Sequence, residues 1–152
     1  MADVKKGIIL KGIGGLYFVE TADAVFECKA RGIFRKSGRK PLVGDEVDIL
    51  IGEDGANNTI EKIYPRRSEL MRPPVANLDR LFILSSVRDP NPSTLIIDKM
   101  TAIACWKNIE PVIVITKDDL GDTSELRGIY EKAGIPFFSV SSRDGRGADE
   151  VK

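Results

Sequence analysis

The sequence contains no histidine. That absence excludes imidazole general bases, histidine-ligated zinc and Ser/His/Asp triads built within the chain. Cysteine is almost as scarce. The two present, Cys28 and Cys105, lie too far apart for a CxxC metal pair and are too few for a disulfide scaffold. Net charge is also missing, since 23 lysines and arginines balance 23 acidic residues. Any binding to nucleic acid must therefore come from a local patch. No long apolar run follows the opening Met-Ala-Asp-Val-Lys-Lys, so neither a signal peptide nor a membrane anchor is expected, and the cytoplasm is the expected compartment. At 152 residues the chain has room for one medium domain or two small ones.

What is present favours two, because the grammar changes partway. Residues 7–71 read as short strands separated by turn signals. Gly12, Gly14 and Gly15 interrupt the apolar stretch 8–19, which suits a bent or bulged first strand. Residues 25–35 alternate, with Phe26, Cys28, Ala30, Gly32 and Phe34 on one face, so Cys28 is a core residue. A turn at Ser37-Gly38 follows, then strands at residues 47–51 and 60–64 joined by the loop 52–58. Several short antiparallel strands need closure to hide their edges, which predicts a small OB-like barrel over residues 1–72. Residues 73–79, opening on Pro73-Pro74, form a linker.

Residues 80–152 read differently. The apolar runs 81–87 and 111–116 have the signature of strands buried on both faces. Between them, Ser93 can cap a helix in which Ile96, Met100 and Ile103 recur at helical spacing. Asp122 and Glu125 have capping-box spacing for a second helix, and residues 137–140 make a third strand. Strand–helix–strand–helix–strand predicts a partial α/β unit with a parallel sheet and right-handed crossovers.

Ligands bind such sheets beyond the carboxyl ends of the strands. There the second strand runs into Thr116-Lys117-Asp118-Asp119, matching the NKxD or TKxD guanine motif of GTPases. The third runs into Ser141-Ser142-Arg143, which resembles the SAK motif that closes over the same base. Guanine presents N1–H and an exocyclic amino group side by side, and one carboxylate, that of Asp119, can accept from both. Adenine lacks that donor pair. The Lys117 stem can lie along the base plane, and the Ser142 N–H can donate to O6. Thr116 and Ser141 complete the site, with lesser roles for Asp118 and Arg143. No GxxxxGKS or GxxxxGKT phosphate loop occurs anywhere, and the glycines at 12–15 do not open a helix.

A barrel ahead of guanine motifs that are not preceded by a phosphate loop resembles the circularly permuted GTPases, specifically the ribosome small-subunit-dependent GTPase family. The resemblance rests on residues 41–47, 66–73, 76–79, 116–120 and 141–147, covering nearly the whole chain in order. It implies a GTP-binding, GTP-hydrolysing factor for small-subunit maturation, a monomer that docks on 16S rRNA and the 30S subunit through its OB domain. It also implies GTP or GDP with Mg²⁺ in the complete protein and zinc in a C-terminal domain that this sequence lacks. Phosphoryl transfer depends on the absent phosphate loop, so the chain alone is expected to be inactive. The alternative is a stand-alone RNA-binding or ribosome-docking module whose α/β half is only scaffold. RNA contacts are expected from Arg31, Arg35, Lys36, Arg39 and Lys40, five cations in a stretch without an acid, and more weakly from Arg66, Arg67 and Arg72.

Overall fold

A computed structural model describes residues 3–36, 38–53 and 57–151, apart from the side chains of Arg35 and Lys36. Ser37 of the expected turn and residues 54–56 of the expected loop lie outside the described residues. The chain divides into two compact units, Met1–Leu78 and Asp79–Lys152.

The first unit is a closed barrel of β1 (Asp3–Ile13), β2 (Leu16–Thr21), β3 (Val25–Ala30), β4 (Glu46–Ile51) and β5 (Asn58–Ile63), in the order β1-β2-β3-β5-β4. All neighbouring pairs are antiparallel except β3 with β5. Closure depends on β1, which is long enough to pair with β4 along its first half and with β2 along its second. The β1–β2 register shifts between Ile9 and Lys11, and this bulge bends the strand across the barrel. The bend is therefore at Leu10, whereas Gly14 and Gly15 form the β1–β2 turn. Both have positive φ, 59° and 88°, as a two-residue hairpin turn that follows strand twist requires. Inside, alternate residues from every strand meet: Ile9, Tyr17, Val19, Cys28, Val47, Ile49, Ile60 and Ile63. Cys28 is 1% exposed, and burial pushes its thiol up to about 11, so it is an inert core residue.

The strand expected over residues 25–35 stops at Ala30. A short helix, α1 (Gly32–Lys36), takes over, its first turn closed by the Phe34 N–H donating to the Arg31 carbonyl. Turning the chain here lets Phe34 pack against the barrel core while Ile33 faces solvent at 62% exposure. Beyond the barrel, β6 (Glu69–Met71) and β7 (Pro74–Ala76) form a hairpin. The Ala76 N–H donates to the Val43 carbonyl and the Asn77 side-chain amide to the Gly44 carbonyl. Much of the segment read as a linker is thus tied to the first unit.

The second unit is a parallel sheet of β8 (Arg80–Ser86), β9 (Glu110–Thr116) and β10 (Phe137–Ser139), in the order β10-β9-β8. Helices α2 (Thr94–Trp106) and α3 (Ser124–Lys132) cross between consecutive strands. Ile97 of α2 and Tyr130 of α3 meet Ile83, Ile113, Ile115 and Phe137 in one core. Phe82 and Leu84, on the opposite face of β8, are 45% and 66% exposed. Among the described residues no helix is long and apolar enough to cross a membrane.

Two helix details differ from the sequence reading. The buried stripe of α2 is Ile97, Thr101 and Ala104, while Ile96, Met100 and Ile103 are 61%, 38% and 43% exposed. The helix is apolar on nearly every side, so spacing alone does not select a face; Ile97 is the α2 residue that enters the core. In α3 the first helical residue is Ser124, and Thr123, in the N-cap position, makes no side-chain cap hydrogen bond. Its hydroxyl pairs instead with Ser139 Oγ at 2.9 Å, and Asp122 accepts the Ser124 N–H at 3.0 Å. The expected Asp122–Glu125 capping box is therefore replaced by a local Asx turn. The Ser93 side chain likewise makes no cap hydrogen bond.

Candidate functional site

The carboxyl ends of β9 and β10 bring the sequence-predicted guanine residues together. Thr116 closes β9 with its hydroxyl donating to the Ser85 carbonyl at 3.2 Å, which pins the strand end to β8. Lys117 then turns the chain in the left-handed region at φ 58°, and Asp118–Leu120 form a single 3₁₀ turn. Lys117 Nζ reaches the carbonyls of Asp89 and, at 3.4 Å, Arg88, in the loop after β8. The Asp118 N–H donates to the Val140 carbonyl at 3.2 Å, joining this loop to the exit of β10.

Asp119 sits at the centre, its side chain 19% exposed. Oδ1 accepts the Ser141 hydroxyl at 2.9 Å, and Arg143 Nη1 stands 3.9 Å from Oδ2. Ser141 is 1% exposed, and its own N–H donates to the Arg146 carbonyl at 3.0 Å. Ser142, the next residue, is exposed, and among the described residues no partner takes its N–H. A fixed carboxylate and a free backbone donor thus share one rim. That pair can read the N1–H and amino edge of guanine and its O6. Arg143 is 82% exposed and contributes charge at the rim more than structure.

The sequence reading missed Arg146. Its guanidinium donates to Asp118 Oδ2 at 3.2 Å and to Asp144 Oδ2 at 3.0 Å. Hydrogen bonding, foremost from the Arg146 N–H, holds the Asp144 carboxyl below its ordinary range. Only the chemistry of a glycine-rich loop carrying Asp144 and Arg146 close together could have flagged it. Gly147 ends this loop at φ 72°, and a Cβ there would meet the Ser139 carbonyl oxygen at 2.1 Å. Gly145 has φ 76° with open space around it. Gly145→Ala is therefore expected to cost about 1–2 kcal/mol, the ordinary left-handed penalty, and Gly147→Ala at least twice that in thermal unfolding. Equal losses would show that the approach to Ser139 does not demand glycine.

Among the described residues no group of three or more Asp, Glu, Cys or His could hold a metal ion.

In the basic stretch of the barrel, one expected RNA contact meets an acid from another strand. Arg31 is ion-paired with Glu61 of β5, an acid 30 positions away, so it does not belong to an unneutralised group. Arg39 donates to the Tyr64 carbonyl at 2.7 Å. Lys40 is exposed, beside an open cavity of about 680 Å³ bordered by Gly14, Gly15, Tyr17 and Phe34. The side chains of Arg35 and Lys36 lie outside the described residues. Of the second group, Arg66 is 12% exposed and fully engaged with Asp45, Glu69 and the Lys40 carbonyl. The Arg67 N–H and guanidinium both meet Asn77, and Arg72 is exposed.

Comparison with known proteins places this geometry in context. Residues 6–57 match the RsgA N-terminal domain, and residues 63–152 match the RsgA GTPase domain. The chain is 42% identical over 153 residues to the small ribosomal subunit biogenesis GTPase RsgA of Alkaliphilus metalliredigens, covering 98% of the chain and 52% of that protein. It is 42% identical over 151 residues to RsgA of Ruminiclostridium cellulolyticum, covering 96% of the chain and 50% of that protein. Among solved structures, YjeQ from Thermotoga maritima superposes with a TM-score of 0.83 at 31% identity, over 98% of the chain and 56% of that structure. YloQ, described as a circularly permuted GTPase, gives 0.77 at 32% identity, over 93% and 53%. The chain spans about half the length of the curated relatives it matches.

Proposed function

The chain belongs to the RsgA GTPase family, and on that premise we propose that it is the guanine-recognising and RNA-docking portion of a GTP-hydrolysing small-subunit maturation factor. The observation that carries the reading is the Asp119 carboxylate held by Ser141 at 2.9 Å beside the free Ser142 N–H, at the carboxyl ends of parallel strands. Thr116 and Lys117 set the loop that presents Asp119, with Asp118 and Arg143 at its margins. Phosphate binding and phosphoryl transfer belong, on this reading, to parts of the family's length that these residues do not span. Magnesium would be held there with the phosphates, and zinc elsewhere again. The base site is tested by titrating GDP and ADP against the full-length protein by calorimetry. GDP is expected to bind at least 100-fold more tightly, because adenine leaves a mostly buried carboxylate without the two donors of guanine. Equal affinities would sink the guanine reading.

The barrel is the proposed contact to 16S rRNA in the 30S subunit, through an edge centred on Lys40 with Arg35, Lys36 and Arg39 beside it. Phosphate contacts release counterions, so each one adds to the salt dependence of binding. Changing Arg35, Lys36 and Lys40 together to Ala should flatten the slope of log affinity against log salt by about two. Changing Lys99, Lys107 and Lys132 to Ala removes equal charge from the second unit and should leave the slope unchanged. Binding to purified 30S subunits across a salt series measures both, and equal flattening would mean that only net charge matters.

A further inference from the structure

We propose that Arg146 is a positioning residue of the guanine site, bracing the Asp118–Asp119 turn against the loop after β10. The inference rests on the guanine reading above and adds the group that holds its two reading elements at a fixed separation.

Two adjacent carboxylates lie in the turn after β9. Asp118 and Asp119 are 16% and 19% exposed, so both are largely withdrawn from water, and each needs its own partner. Asp119 has the Ser141 hydroxyl and, more distantly, Arg143. At Asp118 the cation is Arg146, 3.2 Å from Oδ2. That guanidinium is itself aimed, because Asp144 accepts from Nη2 at 3.0 Å and from the Arg146 N–H at 3.1 Å. The Arg146 carbonyl accepts the Ser141 N–H at 3.0 Å, and the Ser141 hydroxyl holds Asp119. The contacts therefore close a ring, Asp118 to Arg146 to Ser141 to Asp119, with the base-reading carboxylate in it. Ser142, whose N–H would read O6, follows Ser141 directly. Guanine's two recognition edges are a fixed distance apart, so a brace between the two loops sets how well both are met at once. Arg146 is assigned no contact with the base and acts through Asp118 and Ser141.

The test uses the full-length protein with GDP, IDP and ADP. IDP keeps N1–H and O6 and lacks the amino group, so the ratio of GDP to IDP affinity reports how well Asp119 is placed. Arg146→Ala is expected to weaken GDP binding about fivefold, the scale of a partly exposed ion pair within a network, and to lower the GDP-to-IDP ratio. Arg146→Gln keeps side-chain donors without the charge and carries the same expectation should the alanine variant fold poorly. Adding Asp118→Asn to Arg146→Ala removes the stranded charge and should recover most of the lost GDP affinity. A loss of folding stability alone would not move the ratio or be reversed in that way. Arg80→Ala is the control, since it removes an exposed pair with Glu110 at the other end of the sheet. Unchanged GDP affinity and ratio in the Arg146 variants, or a double variant no better than the single, overturns the proposal. A parent protein that binds ADP as tightly as GDP overturns the guanine reading as well, and the two failures are thereby distinguished.

Discussion

Asp119→Asn in the full-length protein is expected to weaken GTP binding by about 100-fold and to raise the relative affinity for xanthosine triphosphate. A carboxylate accepting from two donors makes two charge-assisted hydrogen bonds, each contributing about 1.5–3 kcal/mol. The amide can replace one of them through its oxygen. Its NH₂ then faces the guanine amino group, donor against donor. Xanthine carries a carbonyl at that position, which the same NH₂ can meet. The surrounding frame should survive, because the amide oxygen can still accept the Ser141 hydroxyl that now lies 2.9 Å from Oδ1. Competition of GTP and XTP against a fluorescent guanine nucleotide measures the switch. A variant that keeps the parent's preference for GTP over XTP would show that Asp119 does not read the base.

How much of this could be seen in one dimension follows from the range of each signal. The strand pattern and the motif at the end of β9 are local, so the barrel, the parallel sheet and the Thr116–Asp119 turn were all legible. Pairings between distant segments were not. The acid that neutralises Arg31 is Glu61, the partner of Arg146 is Asp118, and the partner of Arg66 is Asp45. A run of cations looks unopposed when its counter-charge arrives from another strand. The α2 face was ambiguous for a different reason, since Ile96 and Ile97 are neighbours of one chemistry and only the packing of Ile97 into the core chooses between them. The β3–α1 break was hidden because Gly32 and Phe34 satisfy a strand alternation and a helical turn equally well, and closure of the barrel end decided the matter.

Arg66, one of the weaker expected RNA contacts, carries the second large effect through Asp45. Asp45→Ala is expected to destabilise the barrel by about 3–5 kcal/mol, the cost of leaving one member of a buried ion pair alone. Asp45 is fully buried, and Arg66 meets it with two parallel hydrogen bonds, Nε to Oδ1 at 2.7 Å and Nη2 to Oδ2 at 2.8 Å. The same guanidinium donates to the Lys40 carbonyl at 2.8 Å and to Glu69 at 2.9 Å. Asp45 in turn accepts the Leu42 N–H at 2.8 Å, and its carbonyl takes the Ile9 N–H at 3.0 Å. One pair therefore fastens the loop before β4, the strand β1 and the segment entering β6. Hydrogen bonding to Asp45 is the foremost cause that raises the Arg66 proton affinity above that of an ordinary arginine. Arg66 stays charged at every usable pH, so it cannot escape by deprotonation when its partner is removed. A loss of this size is a large part of the 5–15 kcal/mol that holds a typical domain together. Asp45→Ala combined with Arg66→Met should recover much of it, because an apolar side chain of similar length leaves no stranded charge. Urea unfolding of the parent, Asp45→Ala, Arg66→Met and the double variant, followed by tyrosine fluorescence, gives the cycle. An Asp45→Ala cost below about 1 kcal/mol, in the range of a surface pair, would mean that Arg66 is free to serve elsewhere.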